Sequence, residues 1–423
     1  MRIAVLVYEY PPKIVGGLGT YAAEITRKFV LLGHDVTIFT MNDDEGSLPT
    51  RELWRGMEIH RPLHIDISDS LPDVIAEDIK KWGMGKGVDF FSKILVYNYL
   101  SAAKLVNDLV RLEDFQYDVV VAHDWLSAMA GTAIKKELNL PLIFHMHSSE
   151  RGRTMGNGSD VVTNIEHRGA EMADMIVTVS YAMVDELVKA DFNPDKIQVC
   201  YNGVDPEKYS PEHVSHETIQ NVRQRYGLES SDLMALFVGR LVYVKGVDKL
   251  VRAMPHVIEK IPNAKLVVVG LGDMQDYLAG LVRKLKLQDH VKFRFEFIPE
   301  EDRIAHYAAC DVAIFPSLYE PFGIVALEAM SMEKPVVVGA AGVSGMRESV
   351  IPSGSNQCGF HVNPNDPADI AWGITSAIQD PQRRVELGKN GRRRVLEEFT
   401  WDTATKRTAQ LYEQFLESKS DSS

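Results

Sequence analysis

Short runs rich in valine, isoleucine and leucine recur along the chain, separated by longer amphipathic stretches, and no other feature restricts the fold as much. In the first half they predict strands at Arg2–Tyr8, Asp35–Thr40, Met57–Pro62, Asp118–Ala122, Leu140–Phe144, Met175–Val179 and Lys196–Tyr201. Helical stretches at Leu18–Leu32, Phe90–Leu112, Leu126–Leu138 and Tyr181–Ala190 lie between several of them. The second half repeats the rhythm with Met234–Gly239, Lys265–Gly270, Val291–Phe295, Val312–Pro316 and Pro335–Gly339. Apolar strands without alternation are buried on both faces, which is the condition of a parallel sheet between helical layers. The expected fold class is therefore α/β.

The rhythm breaks once, between Gly203 and Asp232, where NGVDPEKYSPEHVSHE is polar and has no apolar period before Val222. A boundary near residue 206 follows, giving doubly wound domains at 1–206 and 207–400, whose carboxyl strand ends open onto a shared cleft. The last helical stretch, about residues 401–418, follows a long basic helix.

Composition narrows the function classes. With 423 residues and 45% hydrophobic content the chain has ample core for two domains. A net charge of −13 argues against wholesale nucleic-acid binding. No apolar run is long enough for a membrane span. The basic clusters Lys80–Lys86 and Arg392–Arg394 read as solvated faces. Cys200, Cys310 and Cys358 lie far apart within or beside apolar runs, as reduced, buried thiols of a cytoplasmic protein do.

Candidate chemistry sits at the predicted strand ends. The first strand turns through Lys13 and the pair Gly16-Gly17 into a helix, a geometry that admits an anion to helix N–H groups or serves as a plain tight turn. His123-Asp124-Trp125 follows another strand; Asp124 suits an N-cap, and Trp125 is expected to pack. His145-Met146-His147 follows the next, with His147, nearer the loop, read as the functional one. No third ligand is visible for a metal at this pair, so none is expected. The glycine-rich, basic loop from Arg151 through Arg153 to Asp160 either folds over an acceptor or is merely mobile. Arg240 and Lys245, in GRLVYVKG, suit a diphosphate. In Gly270-Leu271-Gly272-Asp273, the aspartate suits the cap of the following helix. In SLYEPFGIVALEAM, Gly323 opens a helix whose free N–H groups, from Phe322 through Ile324 and Val325 to Ala326, would face a phosphate. Glu320 and Glu328 flank that position.

The run EPFGIVALE, with Glu320 and Glu328 separated by seven residues, resembles the EX7E motif of the retaining glycosyltransferases of family 4. Arg240 and Lys245 are similar to that family's diphosphate clamp, and with Asn202-Gly203-Val204-Asp205 the resemblance spans nearly the whole chain. It implies a GT-B fold: two Rossmann-like domains with parallel sheets facing across a cleft, the first holding the acceptor, the second the nucleotide sugar, and the last helix crossing back. Lys13–Leu18 (KIVGGL) resembles the KxGGL signature of glycogen and starch synthases, with one extra residue before the glycines. His123-Asp124-Trp125 and His147 also look synthase-like, and the length resembles that of compact archaeal-type synthases.

The resemblance implies retaining, metal-independent transfer of a hexose from UDP- or ADP-glucose to a growing α-1,4-glucan, without a cofactor. In that scheme Arg240, Lys245, Gly16, Gly17 and the turn Phe322–Val325 hold the donor phosphates, and Glu328 the ribose. Glu320 and His147 position the hexose, and Asp124 orients the acceptor. Lys13, His123, Trp125, Arg151 and Arg153 are further acceptor-side candidates. A family 4 transferase with a small-molecule, sugar-phosphate or lipid acceptor, a nucleotide-sugar epimerase and a nucleotide-sugar sensor remain as alternatives.

Overall fold

The computed structural model describes residues 1–14, 16–43, 45–71, 77–81 and 87–420; most of the Lys80–Lys86 cluster lies outside them. The chain divides into two compact units. The first comprises residues 1–179, 184–200 and 404–423, and the second residues 180–183 and 201–403. The chain thus leaves the first unit between Cys200 and Tyr201, ahead of the position near 206 read from composition.

The first unit holds an eight-stranded sheet, order β3-β4-β2-β1-β5-β6-β7-β8. Its strands are β1 (Arg2–Leu6), β2 (Asp35–Phe39), β3 (Arg51–Trp54), β4 (Met57–His60), β5 (Val119–His123), β6 (Leu142–Met146), β7 (Met175–Thr178) and β8 (Ile197–Val199). All pairings are parallel except β3 with β4. Strand β5, VVVAH, is buried at every position, as a central strand covered on both faces must be. The helix Gly17–Leu31 follows β1, and Asp124–Leu138 follows β5 and ends on Asn139 in the left-handed conformation. The stretch expected as one helix from Phe90 to Leu112 is an α-helix, Gly87–Ala103, continued as wider π winding from Lys104 to Leu112.

The second unit holds a six-stranded parallel sheet, order β11-β10-β9-β12-β13-β14. Its strands are β9 (Leu233–Val238), β10 (Ala264–Val269), β11 (Val291–Arg294), β12 (Val312–Phe315), β13 (Val336–Gly339) and β14 (Gly359–Val362). The polar stretch before it is not wholly irregular: Ser215 accepts from the Thr218 N–H and starts a helix, His216–Arg225, that buries only Val222.

Strand order reverses between β1 and β5 in one sheet and between β9 and β12 in the other. At such switch points the outgoing loops part and leave a crevice at the carboxyl ends of the strands.

In the cationic run Arg392–Arg394 the middle residue is exposed, as a solvated face would have it, but the outer two turn inward. Arg392 donates to the carbonyls of Tyr209 (3.0 Å) and Ser331 (2.6 Å), and Arg394 to those of Ser349 (2.7 Å) and Glu348 (2.9 Å). Arg392 thus ties the segment after residue 201 and the helix Ile324–Ser331 to the helix Pro381–Glu398, and Arg394 ties that last helix to Met346–Ser349. The helix Trp401–Ser420 returns to the first unit from Ala404, where Tyr412 is buried against Phe29 with ring centroids 5.8 Å apart. The three cysteines are buried and free. Among the described residues no helix is long and apolar enough to cross a membrane.

Candidate functional site

At the β9–β12 switch point the turn after β12 runs into the helix Ile324–Ser331 through Gly323, whose φ of 90° is left-handed. A side chain there would overlap Met346, so glycine is required. No side chain caps this helix and its first turn holds no acid. The N–H groups of Ile324 and Val325 therefore face outward without an intrahelical acceptor, at the positive end of the dipole. The expected run of free donors is shorter than read: Ala326 N–H already donates to the Gly323 carbonyl at 3.0 Å. Phe322 is core, 5.9 Å from the Tyr201 ring, and offers only its backbone.

Arg240 lies exposed just after β9. Lys245, in the following 3-10 turn, is paired through Nζ with the Glu320 carboxylate, which also accepts from Ser317 Oγ at 3.3 Å. The two residues assigned to diphosphate and hexose thus hold each other in place. Glu328 is deeper still. Its Oε1 accepts from Tyr209 OH at 3.0 Å and faces Arg303 Nη2 at 3.3 Å, and its Oε2 accepts from Tyr307 OH at 2.9 Å. Tyr209, Arg303 and Tyr307 gave no local sign in the sequence. Asp273 does not cap the next helix, Gln275–Lys284, whose N-cap is Met274.

In the first unit, Gly16 precedes the helix Gly17–Leu31, which likewise has no side-chain cap and no acid in its first turn. The Gly16 N–H donates to Glu9 Oε2 at 3.0 Å, so a carboxylate of the protein itself lies at this helix end, where an anionic ligand group would sit. Glu9 was missed because it reads as part of the strand end. Lys13 is half-buried in a turn closed by its N–H on the Tyr10 carbonyl at 3.0 Å.

Asp124 is not the cap it promised to be. It takes a left-handed φ of 54° and turns its Oδ1 to accept the His147 N–H at 2.7 Å; the residue at the cap position is His123. A left-handed non-glycine at a strand end is strain of the kind that functional sites hold. The third imidazole that seemed to be lacking beside His145 and His147 is His123. Its Nδ1 lies 3.0 Å from His147 Nε2, and the strand register sets His123 opposite His145. His145 Nε2 meets Tyr412 OH at 2.6 Å. Burial, reinforced by the neighbouring imidazoles, holds His123 well below the ordinary histidine range, and burial does the same for His145. Burial also lowers His147, against the opposing pull of Asp124. All three imidazoles are thus neutral near pH 7.

Trp125 packs, as expected: it is buried among Ile79, Phe91, Ile94 and Val162. The loop after β6 is a set of interlocked turns. Arg153 pairs with Glu150, whose Oε1 accepts the Ser159 N–H at 2.9 Å, while Arg151 is exposed. Buried Glu166 accepts the Glu150 N–H, and burial pushes its carboxyl up to about 8. In the unfolded chain that group ionises near the ordinary glutamate value, so from there to about pH 8 the folded state holds the extra proton and stability falls as pH rises. Glu166→Gln should flatten this slope in melting-temperature profiles; an unchanged slope would assign it to other groups.

Residues 218–394 match the family described as glycosyl transferases group 1, and residues 15–208 match glycosyltransferase family 4. An uncharacterised glycosyltransferase of Methanocaldococcus jannaschii is 34% identical over 97% of this chain and 98% of its own length. The chain is a group 1 glycosyltransferase. It is also similar to the glycogen synthase of Mycobacterium tuberculosis, 29% identical over 97% of this chain and 94% of that one. Sucrose-phosphate synthase of Thermosynechococcus elongatus shares its fold, with a TM-score of 0.76 at 24% identity over 99% of each chain. The fold is GT-B, and the glycosyltransferase is an enzyme that transfers a sugar.

Proposed function

We propose that this glycosyltransferase moves glucose from UDP- or ADP-glucose to a growing α-1,4-glucan, with retention at the anomeric carbon and without a metal ion. The observation that carries the donor half is the β9–β12 switch point. There exposed Arg240 follows β9, an uncapped helix end follows β12, and the Lys245–Glu320 pair joins the two loops. This is a cationic, amide-rich setting for a diphosphate. Similarity to the mycobacterial glycogen synthase over nearly its full length supports the glucan as acceptor.

In this mechanism Arg240 and Lys245 neutralise the negative charge that grows on the diphosphate as the anomeric bond breaks, helped by the Ile324 and Val325 N–H groups. A donor phosphate oxygen takes the acceptor proton on the face from which the leaving group departs, so no protein nucleophile is needed. Glu320 exchanges Lys245 for the sugar hydroxyls as the diphosphate draws that ammonium away. Glu328 accepts from the ribose, His147 contacts the hexose, and Asp124, fixed by the His147 N–H, orients the acceptor.

Transfer of labelled glucose from each donor to glycogen, measured in excess chelator, tests the reading. Labelled polymer at the full rate is expected, with the better donor naming the base. Loss of activity in chelator that magnesium restores would overturn the metal-independent step. Donor turnover without polymer would overturn the glucan acceptor.

A further inference from the structure

Three histidines are gathered at the carboxyl ends of β5 and β6. His123 and His145 are 3% and 2% exposed, His147 is half-buried, and one ring nitrogen from each lies within 4.8 Å of those of the other two. The individual contacts show which nitrogens converge. His123 Nδ1 and His147 Nε2 face each other at 3.0 Å. His145 is held from behind by Tyr412 OH on Nε2 at 2.6 Å, which leaves Nδ1 directed to the other side. There it meets Tyr21 OH at 3.5 Å, the outer limit of a hydrogen bond. The ring centroids are 4.8, 5.3 and 5.9 Å apart.

We propose that His123, His145 and His147 form a binding site for a borderline divalent transition cation of the zinc and cobalt class, and that its occupancy switches the transferase off. Imidazole nitrogens bind such ions at about 2.0–2.1 Å, which sets two of them roughly 3.3 Å apart around a tetrahedral ion. The His123–His147 separation therefore needs to open by only a few tenths of an ångström, with the shared proton moving to the far nitrogen of one ring. Tyr412 is the outer partner that metal-bound histidines usually have, fixing ring orientation through the nitrogen not used for the ion. Three protein ligands leave a fourth position open to water. The ion plays no part in transfer: it immobilises His147, and only this inhibitory half rests on the hexose contact given to His147 above.

The full-length protein, stripped with chelator and dialysed, should bind one Co2+ per chain with the intense visible bands of a tetrahedral site, and Zn2+ should displace it. His145→Gln keeps an amide near the Nε2 position for Tyr412 but removes Nδ1, and His123→Gln likewise removes the Nδ1 that faces His147. Each should weaken cobalt binding roughly tenfold or more, with near-ultraviolet circular dichroism confirming the fold. Tyr412→Phe should weaken it about 10- to 100-fold while leaving all three ligands in place. No tetrahedral spectrum, or one undiminished in both ligand variants, would overturn the site. Saturating Zn2+ should abolish transfer and chelator should restore it; a full rate with the site shown filled would overturn the inhibition and leave the donor reading untouched.

Discussion

Arg240→Ala should lower turnover by about 10²–10³-fold, the usual loss when one preorganised group that meets developing charge is removed. The structure makes this the cleaner of the two clamp tests. Arg240 is exposed and follows β9, so its truncation opens no cavity, and the melting temperature should not move. Lys245→Ala should bring a similar loss but also leaves Glu320, 9% exposed, without its cation. Lys245→Arg separates the two effects, because it restores charge beside Glu320 while displacing it from the compact position of an ammonium. Near-normal turnover of Arg240→Ala with a saturating nucleotide sugar would remove the clamp assignment.

The second large effect is expected at Glu328, and its two variants should behave differently. Glu328→Ala strips Arg303 and two tyrosine hydroxyls of a shared acceptor in a buried setting. Removing one partner of such a pair costs about 3–5 kcal/mol, so this variant should be markedly destabilised. Glu328→Gln keeps an acceptor for Tyr307 and fills the same space, so it should fold. Donor binding should still weaken roughly 10- to 100-fold, the worth of about 1.5–3 kcal/mol for hydrogen bonds to a charged group. Calorimetric titration of the glutamine variant with a nucleoside diphosphate decides the matter: unchanged affinity would reject the ribose role and leave Glu328 as a scaffold residue.

The parallel strands were legible because a strand buried on both faces has to be written as an unbroken apolar run. The elements that escaped are those that obey another rule. RELW of β3 alternates half-buried and exposed positions at an antiparallel sheet edge, so it has no such run. GFHV of β14 is an edge of the second sheet and opens on a glycine pressed against the Val336 carbonyl. The helix His216–Arg225 was lost because one buried residue makes no period.

The site follows the same division. Glycine turns and cations declare themselves at strand ends, whereas partners brought in by tertiary packing do not. Asp124 has the local chemistry of a cap, but the His147 N–H from the neighbouring strand won it. Tyr209, Arg303 and Tyr307 reach Glu328 from a polar segment and from the helix Glu300–Ala309, across 119, 25 and 21 residues of chain. His123 was the exception that could have been found: once consecutive strands are taken as neighbours, a histidine ending one and an HxH ending the next must meet.

The last helix carries a consequence for how the protein is made. The unit begun first at the ribosome is finished last, because residues 404–423 supply Tyr412 to its interior beside Phe29 and His145. The second unit includes nothing after residue 403, and of its pieces only 180–183 lies apart from the continuous run. Order of synthesis and order of completion are therefore inverted. The nascent first unit waits with an open apolar seat through the emergence of the entire second unit, a period in which chaperones and premature termination act most strongly. Chains cut short of residue 404 would carry that unfilled seat permanently, whatever the soundness of the rest.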